Sequence, residues 1–404
     1  MMMVKRITML LLLLIFFSFS IEGLYAAEST ARIPELIQGL KGWDRDATRA
    51  AYDKLYKIGK PAVPYLIKVL KDEDPGLRSQ AARLLGDLQA EEAVIPLGEL
   101  INDPKSWVTR SAVFSLGNIG SPAAVPILKK ALKHYKPKVQ EAALISLDEL
   151  QDKSALPDIT ELMVASNDQY LRWQAMMVLR SIEKGSEITA LIKTLDDKKA
   201  KVTSRRNAVV MLGELKAESA IPSLIKALDD KDAGIRWGAV EAIGKMGVIQ
   251  ARPKVEEMLK DKNLDVRMFA IGTLGRLGSK DSVPALSRML SSKPSEVRKN
   301  AIRSLGKIGG AEAVKAIREK LADSDRYVKV LAIETLVNLN DTDSAAEIRL
   351  LASDRSPTVR TVVMYALGRL GGDSALDVLQ AGTEDKNFWV KGEAERSLKK
   401  LQQK

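Results

Sequence analysis

The chain has 404 residues and a moderate basic balance, with 63 lysines and arginines against 52 acidic residues and a formal net charge of +11. It contains no cysteine and one histidine, so a thiolate nucleophile, a disulfide framework and a two-histidine metal site are excluded. The basic residues do not form the concentrated runs that are typical of nucleic-acid footprints, so nucleic acid is disfavoured as a partner.

Residues 1–27 have the composition of a secretory signal peptide. Lys5 and Arg6 precede an almost wholly apolar run, and the segment ends at Ala26 and Ala27. The apolar run is shorter than the roughly 18 residues expected of a membrane-spanning helix. The segment therefore predicts export, to the periplasm or out of the cell, with cleavage after Ala26 or Ala27 and no membrane span afterwards. An uncleaved anchor is the alternative.

Residues 28–404 are built from one unit that recurs about every 31 residues. In the copy at residues 261–290, Val266, Ala270 and Leu274 recur at helical spacing and form an apolar stripe. The counterparts of Leu274 are Leu55, Leu85, Leu116, Leu147, Leu179, Leu212, Ile243, Leu305, Leu336, Leu367 and Leu398. A lone helical hairpin cannot cover such a stripe, so the copies must stack. The pattern predicts an all-α solenoid of about twelve two-helix repeats in one domain.

The ends of the two helices are also marked in this copy. Asn263 or Asp265 can cap the start of the helix that carries the stripe, and Gly278 suits a left-handed residue after its last turn. Ser282 and Pro284 then open the other helix, where the missing N–H of proline costs nothing.

A charged motif accompanies the apolar one. Taking Val266 as the anchor, an Asp lies five residues before the anchor in most copies and an Arg or Lys lies one residue after it. The basic residues are Arg78, Arg172, Arg236, Arg267, Arg298, Lys329, Arg360 and Lys391. The full pattern, D-x4-[VIL]-R-x2-A-[AVIM]-x2-L-G-x-[LIM]-G followed by AVP-x-L, resembles the HEAT-like repeats named for phycobilisome lyases, over essentially all of residues 28–404.

This resemblance implies a right-handed α-solenoid with the first helix of each repeat on the convex side and the second on the concave side. It also implies that the Asp and Arg residues form a structural ladder between the loops of adjacent repeats. A relative of the repeat, deoxyhypusine hydroxylase, holds iron with paired His-Glu motifs, and this chain lacks those motifs. We therefore predict no catalytic residue, no metal and no cofactor, and a chain that is not an enzyme.

Two further features concern packing. Glycines recur inside the second helices, for example Gly86, Gly244 and Gly275, although glycine costs about 1 kcal/mol relative to alanine there. Close approach of a neighbouring backbone is the expected compensation. The repeat spacing lengthens within residues 171–212, which predicts a kink in the stack.

The candidate protein-binding site is an apolar stripe on the concave side. Residues two, six and ten positions after the anchor point away from the core of the second helix, and several of those in the middle of the chain are apolar. They are Phe114, Ile145, Trp173, Met177, Val210, Trp237 and Met268. Contiguous exposed apolar surface usually marks a binding site. The alternatives are burial by facing helices, or a helical register displaced by one residue near the irregular spacing.

The candidate anion-binding site lies on the same positions in the C-terminal half. Its residues are Lys245, Arg276, Lys299, Arg303, Lys307 and Arg369. The alternative interpretation is that cations near the end of a helix interact with its dipole.

These observations favour an exported, non-enzymatic scaffold that binds another protein or peptide of the envelope, or outside the cell, on its concave surface. One alternative is an anionic polymer bound through the basic C-terminal half. The other is a lyase-like or chromophore-handling role, because some relatives of the repeat are bilin lyases.

Overall fold

The computed structural model describes residues 30–41, 44–371 and 375–402. These residues are helical and include no strand, which confirms the predicted all-α solenoid. The predicted signal peptide, residues 1–27, lies outside them. Among the described residues there are 24 α-helices, which alternate between short helices of five to 11 residues and long helices of 13 to 15 residues.

Each pair of helices is one predicted repeat, with the short helix first. The first ten helices are α1 (Ile33–Gly39), α2 (Arg45–Ile58), α3 (Val63–Val69), α4 (Pro75–Asp87), α5 (Val94–Glu99), α6 (Ser106–Ile119), α7 (Val125–Ala131), α8 (Pro137–Leu150), α9 (Leu156–Ala165) and α10 (Gln169–Ile182). The others are α11 (Ser186–Asp196), α12 (Val202–Glu214), α13 (Ile221–Ala227), α14 (Ala233–Met246), α15 (Arg252–Glu257), α16 (Leu264–Leu277), α17 (Val283–Met289), α18 (Ser295–Ile308), α19 (Ala311–Arg318), α20 (Arg326–Asn338), α21 (Ala345–Arg349), α22 (Pro357–Leu370), α23 (Leu376–Gly382) and α24 (Phe388–Gln402).

The chain divides into two compact units, Met1–Ala190 and Leu191–Lys404. The division falls in α11, within the stretch where the repeat spacing is irregular. The kink expected there stays a prediction. We refer below to the first unit and the second unit, and describe each by itself.

The ends of the long helices follow the signals in the sequence. The side chains of Asp74, Asp168 and Asn263 accept hydrogen bonds from backbone N–H groups in the first turns of α4, α10 and α16. These groups have no partner inside the helix, so the caps define where it begins. Gly247 and Gly278 end α14 and α16 with φ angles of 68° and 67°, a left-handed conformation that glycine adopts without strain.

The hydrophobic core lies between the layer of short helices and the layer of long helices. In each unit, consecutive long helices pack side by side, α2 to α10 in the first and α12 to α24 in the second. The counterparts of Leu274 are fully or almost fully buried from Leu55 to Leu367, and Leu398 in α24 is half-buried. Replacing a buried leucine of this kind with alanine costs about 2–5 kcal/mol.

The glycines inside the long helices permit close helix packing, as predicted. A Cβ atom at Gly275 would lie 2.6 Å from Ser304 Oγ and 2.9 Å from Ser304 Cα on the next long helix. The Ser304 hydroxyl in turn donates to the carbonyl of Ile271, at 2.8 Å. Gly244 approaches Thr273 in the same way, and Thr273 donates to the carbonyl of Val240. Glycine and a small hydroxyl residue therefore bring adjacent long helices together.

The charged motif forms the ladder that the resemblance implied. Arg236 donates through Nε and Nη2 to both carboxylate oxygens of Asp261 in the next loop, at 2.7 and 2.8 Å. Its Nη1 donates to two carbonyls of its own loop, those of Asp230 and Lys231. Each such pair ties the start of one long helix to the loop of the next repeat.

The ladder also contains one pair that the sequence motif did not reveal. Arg205, in the irregular repeat, pairs with Asp230 and is buried. Burial by itself raises the pKa of Asp230, but hydrogen bonds from Arg205 and Lys198 hold it below the ordinary value of an aspartate. The anchor position of α12 is occupied by the polar Ser204, so the apolar stripe does not mark the register of this repeat.

Candidate binding surfaces

A groove crosses three long helices of the first unit. It encloses a cavity of about 520 Å³ on α4, α6 and α8. Two of the predicted apolar residues, Phe114 and Ile145, lie in its wall, at the same position of adjacent helices. Arg83, Arg110 and Glu141 line it as well. The structure therefore brings these two predicted residues together, in a charged setting that the apolar pattern did not indicate.

A second cavity of about 480 Å³ lies next to the first, on α2 and α4. Arg83 lines both cavities, so they adjoin. The hydroxyl of Tyr52 donates to Asp87, at 2.5 Å, and links α2 to α4. Burial and this hydrogen bond to a carboxylate both raise the pKa of Tyr52, so it remains protonated at neutral pH.

The long helix α10 exposes the largest apolar side chains of the predicted stripe. Trp173 is 52% exposed and Met177 is 41% exposed, one helical turn apart. Tyr170 stacks on Trp173 with their ring centres 6.4 Å apart. Met177 and Ile145 occupy the same position of their repeats. Because α10 packs against α8, they lie on neighbouring helices.

The second unit holds the other three residues of the predicted stripe, and neighbouring side chains partly cover two of them. Val210 is exposed, but Trp237 and Met268 are half-buried. Trp237 stacks on Phe269 of the next long helix with their ring centres 5.0 Å apart, because Phe269 lies on the flank of α16 that faces α14. Asn300 contacts the sulfur of Met268, at 3.3 Å. Phe114 in the first unit is likewise half-buried, in the wall of its groove.

The predicted anion-binding residues all lie in the second unit, and their charges are partly neutralised. Lys245 pairs with Glu214 and Glu241, at 2.5 and 3.2 Å, and these hydrogen bonds raise its pKa. Lys299 pairs with Glu296 on its own helix.

Within residues 30–41, 44–371 and 375–402, the four other predicted cations have no carboxylate partner. Arg276 donates to Thr273 and Arg303 donates to Asn300. For Lys307 and Arg369, both exposed, no hydrogen bond or ion pair connects the side chain with another described residue. This surface is therefore less uniformly basic than its sequence indicated.

The single histidine has a local structural role. His134 Nδ1 accepts a hydrogen bond from the backbone N–H of Lys136, at 3.0 Å, and the ring stacks on Tyr135. Burial lowers the pKa of His134 below the ordinary value of an imidazole. Across residues 30–41, 44–371 and 375–402, no group of three or more His, Asp or Glu side chains is placed to hold a metal ion.

A family model described as HEAT repeats matches residues 33–117, 96–180, 188–267, 253–328 and 314–399. The chain belongs to the HEAT-repeat family. This HEAT-repeat chain is 28% identical over 147 residues to deoxyhypusine hydroxylase from Eremothecium gossypii, a match that covers 33% of the chain and 45% of that relative. It is 27% identical over 132 residues to the bilin biosynthesis protein PecE from Nostoc sp., covering 32% of the chain and 52% of PecE. The chain thus spans about half the length of these curated relatives.

Solved structures share the fold of the HEAT-repeat chain. Kap121p aligns with a TM-score of 0.54 and 14% sequence identity, covering 92% of this chain and 49% of Kap121p. The complex of Kap121p with Nup53p aligns with a TM-score of 0.55, also at 14% identity. At this identity the likeness concerns the fold alone.

The HEAT-repeat chain also exposes aromatic residues that the sequence analysis missed. Trp107 and Tyr170 lie immediately before the anchors of α6 and α10 and are 44% and 53% exposed, and Tyr135 in the loop before α8 is 79% exposed. The signal in the sequence is an aromatic residue at or near the start of a long helix, before the anchor and therefore outside the positions two, six and ten residues after it. Among the described helices none is long and apolar enough to span a membrane.

Proposed function

We propose that the chain is an exported HEAT-repeat scaffold that binds another protein or peptide on the exposed face of its long helices. The observation that carries this proposal is the apolar patch of the first unit, formed by Phe114, Ile145, Trp173 and Met177 on α6, α8 and α10. Adjacent packed helices lie about 8–10 Å apart, so these side chains form a contiguous surface. Exposed apolar surface that includes tryptophan is characteristic of protein interfaces.

Two other observations support protein binding. The deepest charged contacts, such as Arg236 with Asp261, join loops within the solenoid, so they stabilise the fold and do not form a reactive site. In addition, solved structures with the same fold include Kap121p bound to Ste12p, to Nup53p and to Pho4p. Extending partner binding from those proteins to this chain is part of the proposal.

The test is a pull-down from envelope extract with residues 28–404, read out by mass spectrometry and repeated with Trp173→Ala/Met177→Ala. We expect the variant to lose partners that the unmodified protein captures, while its unfolding free energy stays within about 0.5 kcal/mol because both side chains are exposed. The matched control is Tyr327→Ala/Tyr365→Ala, which removes two exposed aromatic side chains of the second unit that lie outside the predicted stripe. Identical capture by all three proteins would contradict the proposal.

Export is tested separately. We expect N-terminal sequencing of protein recovered outside the cytoplasm to begin at Ala27 or Glu28. Recovery of the intact N-terminus in the cytoplasm would contradict export without bearing on the binding surface.

Binding of an anionic polymer is the second candidate, and the exposed Lys307 and Arg369 favour it. Replacing Lys299, Arg303 and Lys307 with glutamate should then weaken retention on heparin and flatten its salt dependence. Unchanged elution would favour the interaction of these cations with the helix dipoles.

A lyase-like or chromophore-handling role rests on the likeness to PecE. It predicts bilin-dependent absorbance in a co-expressed acceptor protein. Absence of that absorbance would leave the scaffold as the better proposal.

A further inference from the structure

Four arginines line the two adjoining cavities of the first unit, and we call this surface the arginine groove. They are Arg45 and Arg49 on α2, Arg83 on α4 and Arg110 on α6. Among the described residues, none of the four guanidinium groups forms a hydrogen bond or an ion pair, and all four residues are exposed. Guanidinium groups bind carboxylates through two parallel hydrogen bonds, and here that capacity is unused.

The carboxylates of the same groove are mostly occupied. Asp87 accepts the hydroxyl hydrogen of Tyr52, and Glu141 pairs with Lys138 at 2.7 Å. Asp53 is exposed and, within the described part of the chain, has no hydrogen-bond partner. The groove therefore retains a positive surplus after its internal pairs are counted.

The second unit differs from the groove in having paired as well as unpaired cations on this face. There, Lys245 and Lys299 lie on the same exposed face, but each is paired with a glutamate. The basic surface that is best supplied with free guanidinium groups is thus in the first unit, away from the positions that the sequence favoured.

We propose that the arginine groove binds an acidic peptide in an extended conformation, with its carboxylates on Arg83 and Arg110 and an apolar side chain against Phe114 and Ile145. This inference rests on the proposed function and names the chemistry of the partner. The groove crosses four long helices, α2 to α8, at about 8–10 Å per step. An extended chain of about eight or nine residues spans that distance at roughly 3.3 Å per residue.

A peptide fits this groove better than a uniformly anionic polymer. Such a polymer would place negative charge next to Asp53, Asp87 and Glu141, and like charges at short distance repel. A peptide instead presents backbone N–H groups, which can donate hydrogen bonds to these carboxylates. It also supplies apolar side chains for Phe114 and Ile145, which a polysaccharide sulfate cannot do.

The test is selection from a library of random twelve-residue peptides on residues 28–404, repeated on Arg83→Ala/Arg110→Ala. The matched control is Arg288→Ala/Arg396→Ala, which removes the same charge from exposed positions of the second unit outside the candidate anion-binding site. We expect selected peptides to be rich in Asp and Glu with interspersed apolar residues. We expect them to bind the groove variant at least tenfold more weakly, and the control with unchanged affinity.

The outcomes separate this inference from the proposed function. Selected peptides that are neutral or basic, or that bind the groove variant as tightly as the unmodified protein, would overturn the acidic-peptide inference and leave the scaffold proposal standing. Failure to select any peptide would count against both. Retention on heparin that depends on Arg83 and Arg110, without any selected acidic peptide, would identify the groove as a polymer site. Thermal unfolding of both variants confirms that they remain folded.

Discussion

The two units use their arginines differently. In the second unit, basic residues that follow the anchor pair with aspartates of the next loop across most of its repeats. The pairs are Arg205–Asp230, Arg236–Asp261, Arg298–Asp323, Lys329–Asp354 and Arg360–Asp385. The first unit has one such pair among its described residues, Arg78–Asp103. Its other arginines include the four of the groove, so this unit combines fewer ladder pairs with a cluster of guanidinium groups that have no partner among the described residues.

The loop before α8 shows how the first unit omits a pair without losing its turn. Asp103 accepts a backbone N–H from Lys105 as well as pairing with Arg78. In the next repeat, His134 accepts the equivalent N–H from Lys136, but Thr109 occupies the arginine position and its buried hydroxyl has no hydrogen-bond partner among the residues that the structure describes. The turn is therefore local, whereas the ion pair between repeats needs both residues and can be lost separately.

We expect the largest effect in acid unfolding, where the second unit should unfold at a higher pH than the first unit. Hydrogen bonds from Arg236 and Arg360 hold the pKa values of Asp261 and Asp385 below the usual value of about 3.9. A carboxyl group whose pKa is lower in the folded than in the unfolded state stabilises the fold at pH values above its unfolded-state pKa. That stabilisation is lost as the pH falls through its folded-state pKa. Pulse-labelled hydrogen exchange after incubation between pH 5 and pH 2 should show α14 to α24 losing protection first. If α2 to α8 lost hydrogen-exchange protection at a higher pH than α14 to α24, this difference between the two units would be contradicted.

Removing one ladder residue should have the next largest effect. Arg236→Ala leaves the carboxylate of Asp261 buried and unpaired, which costs about 3–5 kcal/mol of unfolding free energy. Lys71→Ala is the control, because Lys71 and Glu99 form an exposed pair worth less than about 1 kcal/mol. Denaturant unfolding monitored by circular dichroism measures both. Equal costs would show that the buried ladder does not stabilise the second unit.

Helix spacing is tested inside one helix, α16. Gly275→Ala should lose about 1–3 kcal/mol, since the new methyl group overlaps Ser304 of the next helix. Gly272→Ala should gain up to about 1 kcal/mol, because Gly272 faces open space and alanine favours the helix. Thermal unfolding of the two variants gives the comparison. A gain at both positions would mean that the helices can move apart at little cost.

The smallest expected effect is the coupling created by adding a ladder pair to the first unit. Thr109→Arg with His134→Asp restores both residue types at the spacing that Arg78 and Asp103 have. In a double-mutant cycle we expect a favourable coupling of about 1–2 kcal/mol, with Thr109→Arg alone destabilising because its charge has no partner. Strict additivity of the two substitutions would show that the first unit cannot accommodate the pair.

The predicted apolar stripe was only partly recoverable from sequence. In each long helix, the positions two, six and ten residues after the anchor are expected to face away from the core. At these positions Ile145, Trp173 and Met177 are exposed. For Trp237 the alternative of burial by a neighbouring helix applies, and a helical wheel cannot choose between the two because it treats one helix at a time and does not show Phe269 stacked on Trp237. The arginine groove was missed for a related reason: free charge depends on which side chains already have partners.

The sequence by itself determined the features that are specified locally within one repeat and that recur along the chain. The period of 31, the anchor and Leu274 positions, the caps and the Gly278 helix end are properties of a short segment, so they predicted the all-α solenoid. The tertiary structure decided what depends on contacts between neighbouring repeats. It paired Arg205 with Asp230 and stacked Trp237 on Phe269, and it left Arg83 and Arg110 without a hydrogen-bond or ion-pair partner in the described part of the chain. A pattern along the chain identifies such residues, but their neighbours are set by packing across helices.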